Sequence, residues 1–410
     1  MSLKYRVGGV DLIEHEFSVP LDHSRPHSEL ITLFVREVAA FDGRDRPYLV
    51  FFQGGPGSEA PRPTRNPNGP GWLDRALEDF RVLLLDQRGT GRSSPVGSLP
   101  GMDPQAQAEH LTHFRADSIV RDAEYIRSEM DVDRWSILGQ SFGGFCATTY
   151  LSIAPGGLRE AFITGGVPPV ERHVDDVYRA TYDRVRDRTR RFYERYPEDR
   201  RRVVDLHRHL EDEDVRLPSG DRLTWRRFRQ VGSALGMSDG AEHLHYLLEL
   251  PFDSPAFLHD VETGTMFARD PLYAVVHEAC YADGYAPRWS AERVMPDDLK
   301  SPETFTGEHV YPWMFDDYRA LGPLREAAHL LADHVWPPLY DADQLRANEV
   351  PSAAAIYVND MYVERQFSEE TASLIPNMRP WITNEYEHNA LRIDGSRVLD
   401  RLIDLARDRI

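Results

Sequence analysis

Gly139-Gln140-Ser141-Phe142-Gly143 places a hydroxyl between two glycines, directly after the apolar run Trp135-Ser136-Ile137-Leu138. A strand that ends in Gly-x-Ser-x-Gly and turns at once into a helix is a nucleophile elbow. The turn is so tight that side chains two residues either side of the serine would collide. Ser141 Oγ is left projecting above the sheet, with the positive end of the following helix aimed at it. A serine used this way needs a base to take its proton, an acid to orient that base, and donors for a developing oxyanion.

In an elbow fold the acid follows the nucleophile and the histidine comes last. Residues 351–358 (Pro-Ser-Ala-Ala-Ala-Ile-Tyr-Val) read as a strand, with Asp360 just past its end. Pro380-Trp381-Ile382-Thr383 reads as the final strand, with His388 in the loop beyond it. The interval of 28 residues from Asp360 to His388 accommodates one helix and one strand. Of 16 histidines, His388 alone follows the acid-bearing strand with one helix left to come. Glu364 and Asp394 compete with Asp360, whose place at a strand's C-terminal end favours it. Upstream, the buried strand Tyr48-Leu49-Val50-Phe51-Phe52 runs into Gln53-Gly54-Gly55-Pro56-Gly57, where glycine lets a backbone amide approach an oxyanion. The expected donors are the amides of Phe142 and of Gly54 or Gly55. Another apolar strand, Arg81-Val82-Leu83-Leu84-Leu85, leads into Asp86-Gln87-Arg88-Gly89-Thr90-Gly91-Arg92-Ser93, where Asp86 and Arg88 read as loop braces.

These pieces require an α/β-hydrolase fold: a mostly parallel, doubly wound sheet with an inserted helical cap. Strands and helices are expected to alternate up to about Gly166, and Ile119, Ala123, Ile126 and Met130 give one helix an apolar stripe. From Val174 the pattern is helical. Tyr178, Tyr182, Val185, Phe192 and Tyr196 recur as a packing face until Pro197. Helical patterns continue through Leu206, Leu210, Phe228, residues 244–248 and residues 318–331, and strand character returns near Val350. The expected division is a first core part (1–170), a helical cap (171–340) and a second core part (341–410).

A chain of 410 residues, 41% hydrophobic and 28% charged, is an ordinary globular composition too long for one core without insertions. Residues 1–20 hold no apolar run of signal length, and no segment approaches a membrane span. The two cysteines, Cys146 and Cys280, imply no disulfide framework and fit a reducing cytoplasm. No Cys/His/carboxylate cluster suggests a metal, and no cofactor is expected. A net charge of −19 argues against nucleic acid and anionic membranes as partners. The basic runs at 184–186 and 200–202 are interleaved with acids and read as solvated helix faces.

Taken together, Gly54-Gly55-Pro56-Gly57, residues 86–93 and the elbow resemble the prolyl aminopeptidases (proline iminopeptidases). More specific are His277-Glu278-Ala279-Cys280-Tyr281, Thr306-Gly307-Glu308, Tyr311-Pro312-Trp313-Met314-Phe315, Asn359-Asp360-Met361-Tyr362-Val363 and Glu387-His388-Asn389-Ala390-Leu391-Arg392. They are similar to the longer-chain bacterial branch of that family, from about residue 10 to 405. The shorter branch has His where this chain has Gln53. The resemblance implies release of N-terminal proline from small peptides, with Glu278 and Glu308 recognising the free amine. Two carboxylates suit the two N–H donors of a buried secondary ammonium. Phe142, Tyr281 and Trp313 are expected as walls of the pyrrolidine pocket. An esterase, amidase or broader aminopeptidase shares the same motifs, and pocket shape separates them. A binding protein that lost catalysis is disfavoured by the intact Ser141, Asp360 and His388.

Overall fold

Leu49 and Phe51 pack on one side of their strand, Val50 and Phe52 on the other, and all four are buried. A strand of that kind belongs inside a sheet covered on both faces. The computed structural model describes residues 3–64 and 71–410. Its sheet has nine strands: β1 (Leu3–Val7), β2 (Val10–Pro20), β3 (Leu30–Ala40), β4 (Tyr48–Phe52), β5 (Arg81–Asp86), β6 (Trp135–Gln140), β7 (Leu158–Thr164), β8 (Ser352–Tyr357) and β9 (Met378–Thr383). Their order is β1-β2-β3-β5-β4-β6-β7-β8-β9. β1, β2, β3 and β5 pair antiparallel, whereas β5, β4 and β6 to β9 pair parallel. The expected α/β-hydrolase architecture is therefore present, with the C-terminal ends of β4, β6 and β8 opening on one edge.

Residues 3–40 depart from the expected alternation of strands and helices. They form an antiparallel meander because β2 has the half-wet pattern of an outer strand: Val10, Leu12 and Val19 are buried while Glu16 and Ser18 face solvent. Helices cover the two faces of the sheet. Trp72–Asp79 and Ala390–Ala406 seal one, and Ala116–Glu129 and Phe142–Ile153 seal the other. The stripe Ile119, Ala123 and Ile126 is buried, as its spacing requires.

Between β7 and β8 the chain is helical from Val174–Arg195 to Ala342–Arg346, apart from one bridge between Arg216 and Arg222. Tyr178, Tyr182, Val185 and Phe192 are buried along the first of these helices. The expected helical run over 318–331 is broken, since Tyr318 is extended and the helix starts at Arg325, after Gly322-Pro323. This helical segment has no separate core. One apolar cluster runs from Val35 and Leu83 in the sheet through Phe145 and Tyr178 to Phe228 and Leu321. No helix of the described residues is long and apolar enough to cross a membrane.

Arg88 braces this frame. Its side chain is fully buried, donates to Asp122 at 2.7 and 2.6 Å, and reaches the carbonyl oxygens of Leu21 (2.7 Å) and His113 (2.8 Å). Asp86 accepts both Arg62 (2.9 and 3.1 Å) and the Arg92 amide (3.0 Å). Removing one member of a buried ion pair strands the other charge, at a cost of about 3–5 kcal/mol. Arg88→Met should therefore lower the urea midpoint clearly, and an unchanged midpoint would dismiss the brace.

Candidate active site

Ser141 adopts φ 56° and ψ −124° between β6 and the helix Phe142–Ile153. This strained backbone fits because the flanking glycines pack main chain on main chain. A Cβ on Gly139 would stand 2.2 Å from Gly143 O, and one on Gly54 3.0 Å from Ser141 Cβ. The Ser141 amide donates to Thr164 O on β7 at 3.0 Å, and its carbonyl accepts the Gly144 amide at 2.7 Å. Two neighbouring elements thus hold the turn in place.

His388 joins the hydroxyl to a carboxylate. Its Nε2 lies 2.9 Å from Ser141 Oγ, and its Nδ1 lies 2.8 Å from Asp360 Oδ2. The other Asp360 oxygen accepts the amides of Tyr362 (2.9 Å) and Val363 (3.1 Å), fixing the carboxylate plane. The Tyr362 ring packs on the imidazole with centroids 4.6 Å apart. Burial opposes a charge on His388, but the charge and hydrogen bond of Asp360 outweigh it and raise its pKa above the ordinary value. Glu364 caps the helix Arg365–Leu374 and pairs with Arg184, while Asp394 accepts the Tyr386 hydroxyl. Neither touches His388.

A cavity of about 280 Å³ opens over Ser141 and His388. Gly54 and Gly55 form part of its wall, and among the described residues their amides and that of Phe142 have no acceptor. Glu308 lines the same cavity, held by the Tyr273 hydroxyl at 3.1 Å and by His277 Nε2 at 3.7 Å. Glu278 does not line it. That carboxylate is buried, with Oε1 accepting the Ala291 amide at 2.9 Å and Oε2 lacking a donor among the described residues. Burial pushes its pKa up to about 6.

The expected pocket walls need correction. Tyr281 is turned edge-on to Phe145 (5.5 Å) and Tyr178 (5.9 Å), and it is not among the residues that line the cavity, although the charges of Glu308 and Asp360 reach it. Trp313 stacks on Tyr311 at 5.8 Å with Arg226 over its ring, and it is not among the residues that line the cavity. The Phe142 ring is buried near Phe145. The aromatic walls are Tyr273 and Tyr362, and Ser233, Met237 and Arg392 complete the rim. Tyr362 and Arg392 stand two residues after Asp360 and four after His388, a proximity that could have marked them in the sequence.

The basic run at 184–186 is not a purely solvated face. Arg184 makes a two-pronged pair with Glu364 at 2.7 Å. On the same helix, Arg188 binds Glu387 and the carbonyl of Asn359 (2.8 Å), so it bridges the loops that carry His388 and Asp360. Arg200 and Arg201 are exposed, as expected.

Residues 47–392 match the family model described as alpha/beta hydrolase fold. Over 423 aligned residues the chain is 50% identical to a proline iminopeptidase of Aeromonas sobria, covering 99% of each chain. It is 35% identical to a proline iminopeptidase of Aspergillus aculeatus, across 97% of this chain and 94% of that one. A solved proline iminopeptidase structure from Mycobacterium smegmatis covers 97% of this chain and all of its own, with 14% identity and a TM-score of 0.47. With its strand order, its elbow and a half-identical relative matched along nearly the whole length, the chain belongs to the proline iminopeptidase family of α/β hydrolases.

Proposed function

We propose that this hydrolase is a serine exopeptidase that releases N-terminal proline from short peptides through Ser141, His388 and Asp360. The observation that carries the reading is the bridge from Ser141 Oγ through His388 to Asp360, in the same cavity wall as Glu308. Ser141 Oγ attacks the prolyl carbonyl while His388 Nε2 takes its proton. Asp360 orients the imidazole and stabilises the resulting cation. The oxyanion is met by the amide of Phe142 and that of Gly54 or Gly55. As the tetrahedral adduct collapses, His388 returns the proton to the leaving amine and a prolyl ester remains on Ser141. Water, deprotonated by His388, then cleaves that ester and frees proline.

In this reading the free amine selects the substrate. Glu308 accepts one ammonium N–H from the cavity wall. Glu278, buried behind that wall with Oε2 lacking a donor among the described residues, adds a second negative charge that favours the ammonium through space rather than by direct contact. Residues 171–340 act as a cap unit that carries both acids and closes the acyl end of the cleft. An acylated terminus presents no charge to them, which makes the enzyme an exopeptidase.

Ser141→Ala should lower kcat on proline p-nitroanilide by on the order of 10⁴–10⁶ with the thermal melt retained. Full turnover by that variant would refute the serine mechanism. Glu308→Gln should raise KM for the free-amine anilide at least about tenfold, the worth of one charge-assisted hydrogen bond. An equal loss on N-acetylproline esters would contradict an amine-binding role.

The pH dependence has a defined sign. His388 acts as a base only when neutral, and its raised pKa places the rise of kcat/KM above the ordinary imidazole range. Glu278 gains its proton as pH falls through about 6, so KM should climb there, and Glu278→Gln should flatten that limb. Its pKa is raised from 4.5 to about 6 in the fold, so its stabilisation is complete below 4.5 and lost as pH rises through 6. The loss is about 2 kcal/mol. Glu278→Gln should thus melt higher than wild type at pH 8 but not at pH 4.5. Identical melting differences at both values would show that the carboxylate is not buried as a charge.

A further inference from the structure

Apart from His388, the charged side chains that line the cavity are Glu308 and Arg392. Arg392 lies four residues beyond His388, in the short helical turn that precedes a break at Asp394 within Ala390–Ala406. Arg392 is exposed, and its one side-chain hydrogen bond among the described residues is to Met237 Sδ at 3.5 Å. No carboxylate pairs with it among the described residues. In the 184–202 region, Arg184, Arg186, Arg188, Arg190 and Arg202 each meet a carboxylate.

We infer that Arg392 is the anchor for the free C-terminal carboxylate of the peptide, and that the enzyme favours substrates short enough to bridge Glu308 and Arg392. The inference rests on the prolyl exopeptidase reading above and names its leaving-group side. A di- or tripeptide beginning with proline is a zwitterion, positive at the amine and negative at the far end. The cavity offers one carboxylate and one guanidinium to match that dipole across a volume of about 280 Å³. Each further residue extends a chain by about 3.3–3.6 Å, so longer peptides carry their carboxylate past the rim. Arg392 suits the task because its planar fork can grip both carboxylate oxygens, and the short leash through Met237 keeps it at the mouth. Its charge also reaches His388, where it opposes the protonated form.

The test compares Pro-Gly with Pro-Gly-amide on the wild-type enzyme and on Arg392→Ala and Arg392→Glu, with proline p-nitroanilide run alongside. Wild type should bind the free acid better, with KM roughly three- to tenfold below that of the amide, as one exposed charge-assisted contact provides. Arg392→Ala should bring the two KM values together, and Arg392→Glu should invert their order. The wild-type preference should shrink as salt is raised from 0.05 to about 1 M, because the contact is solvent-exposed. Equal wild-type KM values, or equal losses on acid and amide in both variants, would overturn the anchor. If wild type cleaves the anilide yet shows no acid preference, this inference fails alone. If it cleaves none of the three, the prolyl reading fails and takes the anchor with it.

Discussion

The Ser141 backbone lies at φ 56°, ψ −124°, and it stays there because main chain meets main chain on every side. Strand β4 ends against Gly143, where a Cβ would stand 1.9 Å from Phe52 O, and Gly166 presses on the Ser141 carbonyl. Such a conformation costs on the order of 1–3 kcal/mol and persists only when the surroundings over-determine it. β6 and β7 provide that surplus through buried, parallel pairing and the Thr164 contact. The hydroxyl, the Gly54 and Gly55 turn and the loop bearing His388 all take their places from this one junction. Strand order therefore matters to chemistry here, because β4 must neighbour β6 for the glycine turn to approach the serine.

Around that junction the charges are few and separately anchored. Asp360 is fixed by two amides, Glu308 by a phenol and an imidazole, and Glu278 by one amide. Among the described residues none of these acids pairs with an arginine. The arginines instead hold the scaffold: Arg88 within the sheet edge, Arg184 and Arg188 between the long helix and the loops after β8 and β9. Tying both of those loops to one helix couples the spacing of Asp360 and His388 to the helical segment.

Much of this could be read from the chain, and the reasons are local. β4, β5, β6 and β8 are continuous apolar runs bounded by glycine, proline or polar turns, so their limits are visible. The positions of Asp360 and His388 follow from strand ends and chain order. The meander at residues 3–40 was missed because β1 is exposed along its described side chains and β2 mixes buried, half-buried and exposed positions without a clean period. Tyr281 and Trp313 sit in aromatic-rich stretches, but which face a ring presents depends on partners distant in sequence, such as Phe145 and Tyr311. The isolation of Arg392 is likewise invisible in one dimension, since it consists of what lies around the guanidinium.

The helical segment between β7 and β8 shares its apolar interior with the sheet: Tyr178 and Leu272 belong to the same cluster as Phe52 and Phe145. A body without an interior of its own cannot swing clear without exposing the sheet's covering face to water. Opening by hinged rotation is thereby ruled costly, and the aperture over Ser141 has a size set at folding. An aperture held in this way suits a narrow, extended chain end better than a wide, folded surface.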